Sequence, residues 1–457
     1  MKRLIIAVLL LLSIRISVCG QDTLVRGPML QVPLIDLPEN LNNGFYYPSM
    51  KEASQWTSDL YDLSFWGIHE LSSLVFRNRR DEPVFRVAGR GMEYLAGLAF
   101  SWYGSELPVP LGVWMHEAYH TSVLGTAGLK ALNGNSVFHR WDGTVYGISD
   151  EELSALKSED LSILLYSYVT GIQAEVYLSQ MNTLNDFFYR REYYKNPLYL
   201  YNAWYVWNYF SFSLSPFSDS VKVIAPRFED PDPALRDFAG ADLTAWAYDM
   251  FSPDVPYTSR DAFPDGDGVN RRIGISDLSE QARNFLQKEK GLSLLNFVNP
   301  AVFLVNRIPI SNDLDVFFFC QYFPTSFGHS VSLVLPVRYR DLKQYMVLRR
   351  YTNLEGSYPG LEYGLNGFHP FHLPLAADFQ VGFWMQPANG GYFDAEAAPG
   401  GMISLRLSYP LTKSISITAG GRYKTAGWQP GEPYLDKKFS MDAGFSFTGR
   451  RQYIRVQ

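Results

Sequence analysis

His116, Glu117 and His120 stand in the order His-Glu-x-x-His, the pattern in this chain with the clearest chemical use. On a helix, positions 116 and 120 share one face a turn apart, so both imidazoles can reach one ion while Glu117 stays beside it. Zinc takes neutral imidazole nitrogen readily, and a catalytic zinc keeps three protein ligands plus a water whose pKa falls to roughly 7. Glu117 is placed to take a proton from that water and return it to a leaving group. The chemistry expected is zinc-dependent hydrolysis. The plainer alternative is a metal-free, hydrogen-bonded polar cluster inside a buried helix.

Such a site needs a third ligand, and two residues of different character could supply it. Glu175 lies within Leu161 to Leu178, a long apolar stretch that reads as a second buried helix, where a lone carboxylate is costly unless paired. His139 sits in a loop-like stretch between Val137 and Gly143. HExxH on one helix with a Glu on a later helix resembles the gluzincin branch of the zinc metallopeptidases, over roughly residues 108–180. The resemblance implies a zincin-like helical domain, Zn2+ held by His116, His120 and Glu175, Glu117 as the catalytic base, and a polypeptide as substrate.

The elements that must position these residues fall into two groups. The motif segment reads as a helix from Pro110 to Leu124, with Pro108 and Pro110 at its start and Gly125 as a stop. Further helices are expected at 56–77, 84–103, 150–156, 161–188, 197–212 and 276–290, with a short one at 241–251 inside a Pro, Asp and Gly rich region. From about residue 314 the apolar period changes to two. Ile403, Leu405, Leu407 and Tyr409 alternate with Ser404, Arg406 and Ser408, and similar runs recur at 331–337, 361–365, 377–383, 415–423 and 439–447. With less regular strands near 314–323 and 342–352, about eight strands are expected. Apolar residues with aromatic ends on one face and small polar ones on the other suggest an up-and-down β-barrel whose outside meets lipid. A soluble sandwich would alternate in the same way but turn its apolar face inward. The fold class expected is therefore α+β: a helical half carrying HExxH, then an antiparallel barrel.

The start of the chain bears on compartment. Met1-Lys2-Arg3, the apolar run Leu4 to Leu12 and Val18-Cys19-Gly20 read as a secretory signal peptide, residues 1–20. Domains are then expected at 21–312 (helical) and 313–457 (strands). Loss of Lys2, Arg3 and Arg15 would move the formal charge from −6 to −9, which argues against a nucleic-acid partner. Cys320 would be left without an intramolecular partner, in keeping with a cysteine-poor envelope protein. Aromatic residues make up 16% of the chain, which with the signal peptide favours the outer membrane and a lipid bilayer as partner. Two functions follow as expectations: an exported, membrane-associated zinc hydrolase, in its sharpest form a metallopeptidase, or a non-enzymatic envelope barrel of structural or transport role with a metal-free HExxH.

Overall fold

The computed structural model describes residues 23–25, 29–43, 48–75, 82–133, 143–189, 194–370, 374–448 and 451–453. The signal-peptide segment and His139 lie outside the described residues. The helices are α1 (Glu39–Asn43), α2 (Met50–Val75), α3 (Pro83–Gly104), α4 (Gly112–Thr126), α5 (Asp150–Glu159), α6 (Leu161–Phe188), α7 (Asn196–Ser213), α8 (Pro216–Ile224), α9 (Asp242–Phe251) and α10 (Glu280–Ser293). Their ends follow local chemistry. Ser149 and Glu152 form a reciprocal capping box at α5, and Asp160 accepts from the Ile163 amide at the start of α6. The cap of α10 is Ser279, three residues beyond the expected start. Helix α4 runs past Gly125; the chain turns instead at Gly128, whose φ of +79° suits glycine.

The strands are β1 (Thr23–Val25), β2 (Met29–Leu37), β3 (Leu132–Asn133), β4 (Val145–Tyr146), β5 (Ile308–Ser311), β6 (Leu314–Val316), β7 (Phe319–Thr325), β8 (Gly328–Tyr339), β9 (Leu342–Thr352), β10 (Ser357–Phe368), β11 (Ala376–Pro387), β12 (Ala397–Pro410), β13 (Ile415–Lys424), β14 (Lys438–Thr448) and β15 (Arg451–Tyr453). Eleven of them make one antiparallel sheet in the order β2-β14-β13-β12-β11-β10-β9-β8-β6-β5, with β7 also on β8. The expected closed barrel of about eight strands is corrected here. The sheet is open, because β2 and β5 at its two ends do not pair with each other. Helix α2 packs on β2 and α6 packs on β7, so helices supply the cover that strand closure would otherwise give. Strands β6 and β7 are two pieces of one interrupted strand, each pairing with a different part of β8.

The sheet turns its apolar face outward. Tyr363, Val381, Ile403, Tyr423 and Phe439 pair in register across β10 to β14 and form one continuous row. Ile403, Tyr423 and Phe439 are 49%, 46% and 58% exposed. The next row, Gln380, Ser404 and Arg422, faces the helices and lines a cavity of about 780 Å³ whose other wall includes Lys51 of α2 and Tyr177 of α6. This is the reverse of a soluble sandwich, in which the apolar row would be covered. The large apolar core lies instead among the helices, around Met115, Tyr119, Tyr168, Ile172 and Trp246. Among the described residues, no helix is long and apolar enough to cross a membrane.

Candidate metal centre

Helices α4 and α6 cross at the motif so closely that only a glycine fits between them. A Cβ built on Gly171 of α6 would lie 2.3 Å from His116 Nε2 and 2.5 Å from His120 Nε2. No carbon tolerates contacts so short, so the missing side chain at 171 is what lets both rings pack against the backbone of α6. A third element closes the group. Asp242, the first residue of α9, brings Oδ2 to 3.0 Å from His116 Nε2 and 3.6 Å from His120 Nε2. Ligands on a tetrahedral zinc stand about 3.3 Å from one another, and the spacing seen brackets that figure. All three residues are buried, and their ligand-type atoms lie within 4.8 Å of one another.

A hydrogen bond chooses which nitrogen His120 presents. His120 Nδ1 bonds the Ser167 carbonyl of α6, which makes Nδ1 the protonated nitrogen and turns the Nε2 lone pair toward Asp242. A lone pair facing a carboxylate is repelled unless a cation, either a proton or a metal, stands between them. Burial lowers the proton affinity of both rings. In His120 the Asp242 charge and the hydrogen bonds outweigh burial, so its pKa rises above the ordinary value. In His116 burial wins and the pKa falls. Burial would raise Asp242, yet the two imidazoles hold its carboxyl well below the usual range. His116 Nδ1 is buried without a hydrogen-bond partner. The donor set of two imidazoles and one carboxylate suits Zn2+.

Asp242 escaped the sequence reading. An acid in the first turn of a helix is an ordinary N-terminal residue, favoured by the helix dipole, and nothing in its neighbours distinguishes it from that role. Glu175 is fully buried one turn beyond Gly171, with Oε1 3.4 Å from the Cβ position of Gly112, itself one turn before His116. The convergent group formed by His116, His120 and Asp242 does not take it in. Its Oε2 has no hydrogen-bond partner, and burial, with help from Glu106, pushes its pKa up to about 8. Glu117 is buried beside the histidines, where its charge acts on Tyr205 and Tyr209.

Those two tyrosines belong to a ladder on α7. Tyr201, Tyr205 and Tyr209 recur every fourth residue, with successive ring centroids 5.9 and 6.1 Å apart. Tyr201 bonds Ser105 at 2.9 Å, and Tyr209 donates to Asp242 Oδ2 at 2.9 Å. Tyr205, between them, sets its ring centroid 6.4 Å from that of His116. Helix α9 is fixed at its far end by Asp249, which accepts from Lys157 at 2.9 Å, Arg260 at 2.7 Å and Tyr168 at 2.9 Å. Phe238, whose ring lies 5.1 Å from that of His120, follows a loop held by Arg271 through the carbonyls of Ile148, Pro233 and Asp237. Compared with known proteins, the chain matches no family model, and no curated protein is similar to it at a significant level.

Proposed function

We propose that this protein is a zinc-dependent hydrolase of the cell envelope, in its sharpest form a metallopeptidase, with His116, His120 and Asp242 as metal ligands and Glu117 as general base. The observation that carries the reading is the convergence of three buried N/O donors where α4 packs on Gly171, with the His120 tautomer set by Ser167. A bound zinc would supply Lewis acidity toward a carbonyl oxygen and lower the pKa of a water. Glu117, next to His116 in the chain, would hold and pass on a proton there as the general base. Tyr209 and Ser167 orient Asp242 and His120 from behind, the usual work of groups that support ligands. Glu175, the ligand implied by the gluzincin resemblance, is replaced in this reading by Asp242 and remains as a buried acid one turn away.

The outward apolar row of the sheet supports association with a lipid bilayer, through an open sheet covered by helices on its polar side. The test is the metal content of protein purified in mild detergent. Wild type and Glu175→Gln are expected to hold about one zinc per chain, whereas Asp242→Ala and His116→Ala/His120→Ala hold none. A folded wild type that takes up no zinc when the metal is added back would overturn the reading. Zinc lost in Glu175→Gln but kept in Asp242→Ala would restore Glu175 as the third ligand.

A further inference from the structure

The cavity between the sheet and helices α2 and α6 has a volume of about 780 Å³, and neither the metal centre nor the outward apolar row uses it. Three cations meet on its wall. Lys51 of α2 pairs with Asp442 Oδ1, and Arg406 of β12 donates through Nη2 to Asp442 Oδ2 at 2.9 Å, so one carboxylate serves two cations. Arg406 reaches Asp442 across Gly420 of β13, which stands opposite both in register; a Cβ there would lie 2.6 Å from Asp442 Oδ1. Arg422, two residues along β13, is the diagonal neighbour of Arg406, at a spacing of roughly 7–8 Å that long side chains bridge. It donates through one nitrogen to Glu432 at 3.3 Å. The other guanidinium nitrogens of both arginines bond no described residue and are not sealed from water. The side chains of Lys51, Arg406 and Arg422 are 33%, 26% and 24% exposed, against 14% for Asp442 and 7% for Glu432, so the wall presents positive charge above acids that lie deeper. Asp36, opposite Asp442 in register, is buried as well. Farther along the wall, Glu362 is engaged by Arg349 and Gln380, and Asp378 by the Gly367 amide. Beside the arginines, Ser408 faces Thr418 and Ser416 faces Ser446 in register, four hydroxyls that line the cavity with no hydrogen bond to a described residue.

We propose that this cavity binds a phosphate group, held by Lys51, Arg406 and Arg422 with the neighbouring hydroxyls as further donors. The donor set selects phosphate among oxyanions. A carboxylate offers two oxygens and one charge, which a single guanidinium fork satisfies, whereas a phosphate monoester carries nearly two charges and three terminal oxygens and so uses donors from several side chains. The volume lies within the roughly 300–1,000 Å³ of ligand-binding clefts and exceeds what phosphate alone needs, so the group belongs to a larger molecule whose polar substituents the hydroxyl floor suits. Two sources share this chemistry, a soluble phosphorylated molecule and the headgroup of a phospholipid. None of the metal ligands lines the cavity, so the site stands apart from the metal centre and does not rest on the hydrolase reading.

The test is equilibrium dialysis of the full-length protein in mild detergent against radiolabelled inorganic phosphate. Wild type is expected to bind about one phosphate per chain with a Kd of about 1 mM or below. Arg406→Gln leaves Asp442 its partner Lys51 and should weaken binding about tenfold or more. Thr418→Glu removes no cation but brings a negative charge to the same wall; it should weaken binding as much, and it keeps the test decisive if Arg406→Gln does not fold. His116→Ala/His120→Ala should bind phosphate as wild type does. Dihexanoyl phosphatidate displacing the label at far lower concentration than unlabelled phosphate would assign the group to a lipid headgroup, and glycerol phosphate doing so would assign it to a soluble molecule. A folded wild type that binds no phosphate at about 10 mM, or wild-type affinity in both Arg406→Gln and Thr418→Glu, would overturn the proposal and leave the zinc reading untouched. Loss of binding in His116→Ala/His120→Ala would move the phosphate to the metal centre and overturn it too.

Discussion

Gly171 gives the sharpest test at the scale of single residues, because its missing side chain is what admits both histidine rings. Mid-helix Gly→Ala changes ordinarily stabilise by about 0.5–1 kcal/mol. Gly67 in α2, with nothing within 4 Å of its Cβ position, should behave so and leave zinc content unchanged. Gly171→Ala instead drives a methyl into the Nε2 atoms of His116 and His120 and forces the rings apart, so zinc content should fall to background with every ligand still present. Overpacking should also cost about 1–3 kcal/mol, read as a fall in Tm. Zinc retained in Gly171→Ala would mean that the ion, if any, lies elsewhere. Glu117→Gln tests the neighbouring position differently: zinc content should stay at the wild-type level while hydrolysis drops by about 100- to 10,000-fold. Glu175 sets a pH dependence. Its folded pKa of about 8 exceeds the ordinary value of 4.5, so the folded state holds its proton more tightly than the unfolded chain does. That contribution is complete below about pH 4.5 and is lost as pH rises through 8. In protein stripped of metal, wild type should therefore lose roughly 3–5 kcal/mol relative to Glu175→Gln between about pH 5 and 9, read from denaturation midpoints. A constant difference across that range would mean the carboxyl is hydrated.

At the scale of elements, the site is an agreement among four helices, and the sequence disclosed them unequally. Helix α6 was legible over its full span of 161–188, since its apolar run is long, and α4 was legible because HExxH sits within apolar neighbours. What periodicity could not show was which elements meet. Asp242 was hidden because α9 is short, follows a loop-rich region and carries its acid where any helix tolerates one. Strand β2 was hidden for another reason. It contains Pro33, which argues against a central strand, but β2 is the sheet's edge and bulges against β14 there, which is where a proline is accommodated. The ion cluster at Asp249 shows how α9 is held in line. Asp249→Ala would leave Lys157 and Arg260 buried without their carboxylate, a loss expected to cost about 3–5 kcal/mol. Because Asp242 lies at the other end of the same helix, zinc affinity should fall as well, although the substitution is two turns from Asp242. Denaturant titration and zinc competition would check both, and an unaltered zinc affinity in a destabilised Asp249→Ala would show that α9 is positioned by its other contacts.

For the whole molecule, the alternation legible from residue 314 onward predicted the strands, and its aromatic ends an apolar face turned outward, but the expected closure did not follow. Alternation is the same for a sheet that hides its apolar side and one that displays it; the difference lies in what covers each face. Here α2 and α6 cover the polar face, which both stops closure and leaves the row from Tyr363 to Phe439 uncovered. So large an apolar face on a protein standing alone in water would promote aggregation, so it needs an occupant, and lipid is the one proposed. Charges placed in that row separate the possibilities. If the face meets hydrocarbon, an Arg near its middle costs about 2–4 kcal/mol, and two of them should abolish bilayer association. Ile403 and Leu405 are exposed, so replacing them makes no cavity and the fold should tolerate the change. The expected outcome in liposome flotation is that wild type rises with the vesicles while Ile403→Arg/Leu405→Arg remains at the bottom of the gradient with an unchanged circular dichroism spectrum. A charged pair on the opposite face, at Ser404 and Ser408 toward the cavity, should leave flotation as it is, because those positions already share their wall with Arg422. Equal flotation of wild type and Ile403→Arg/Leu405→Arg would mean that the apolar row is covered by something other than lipid.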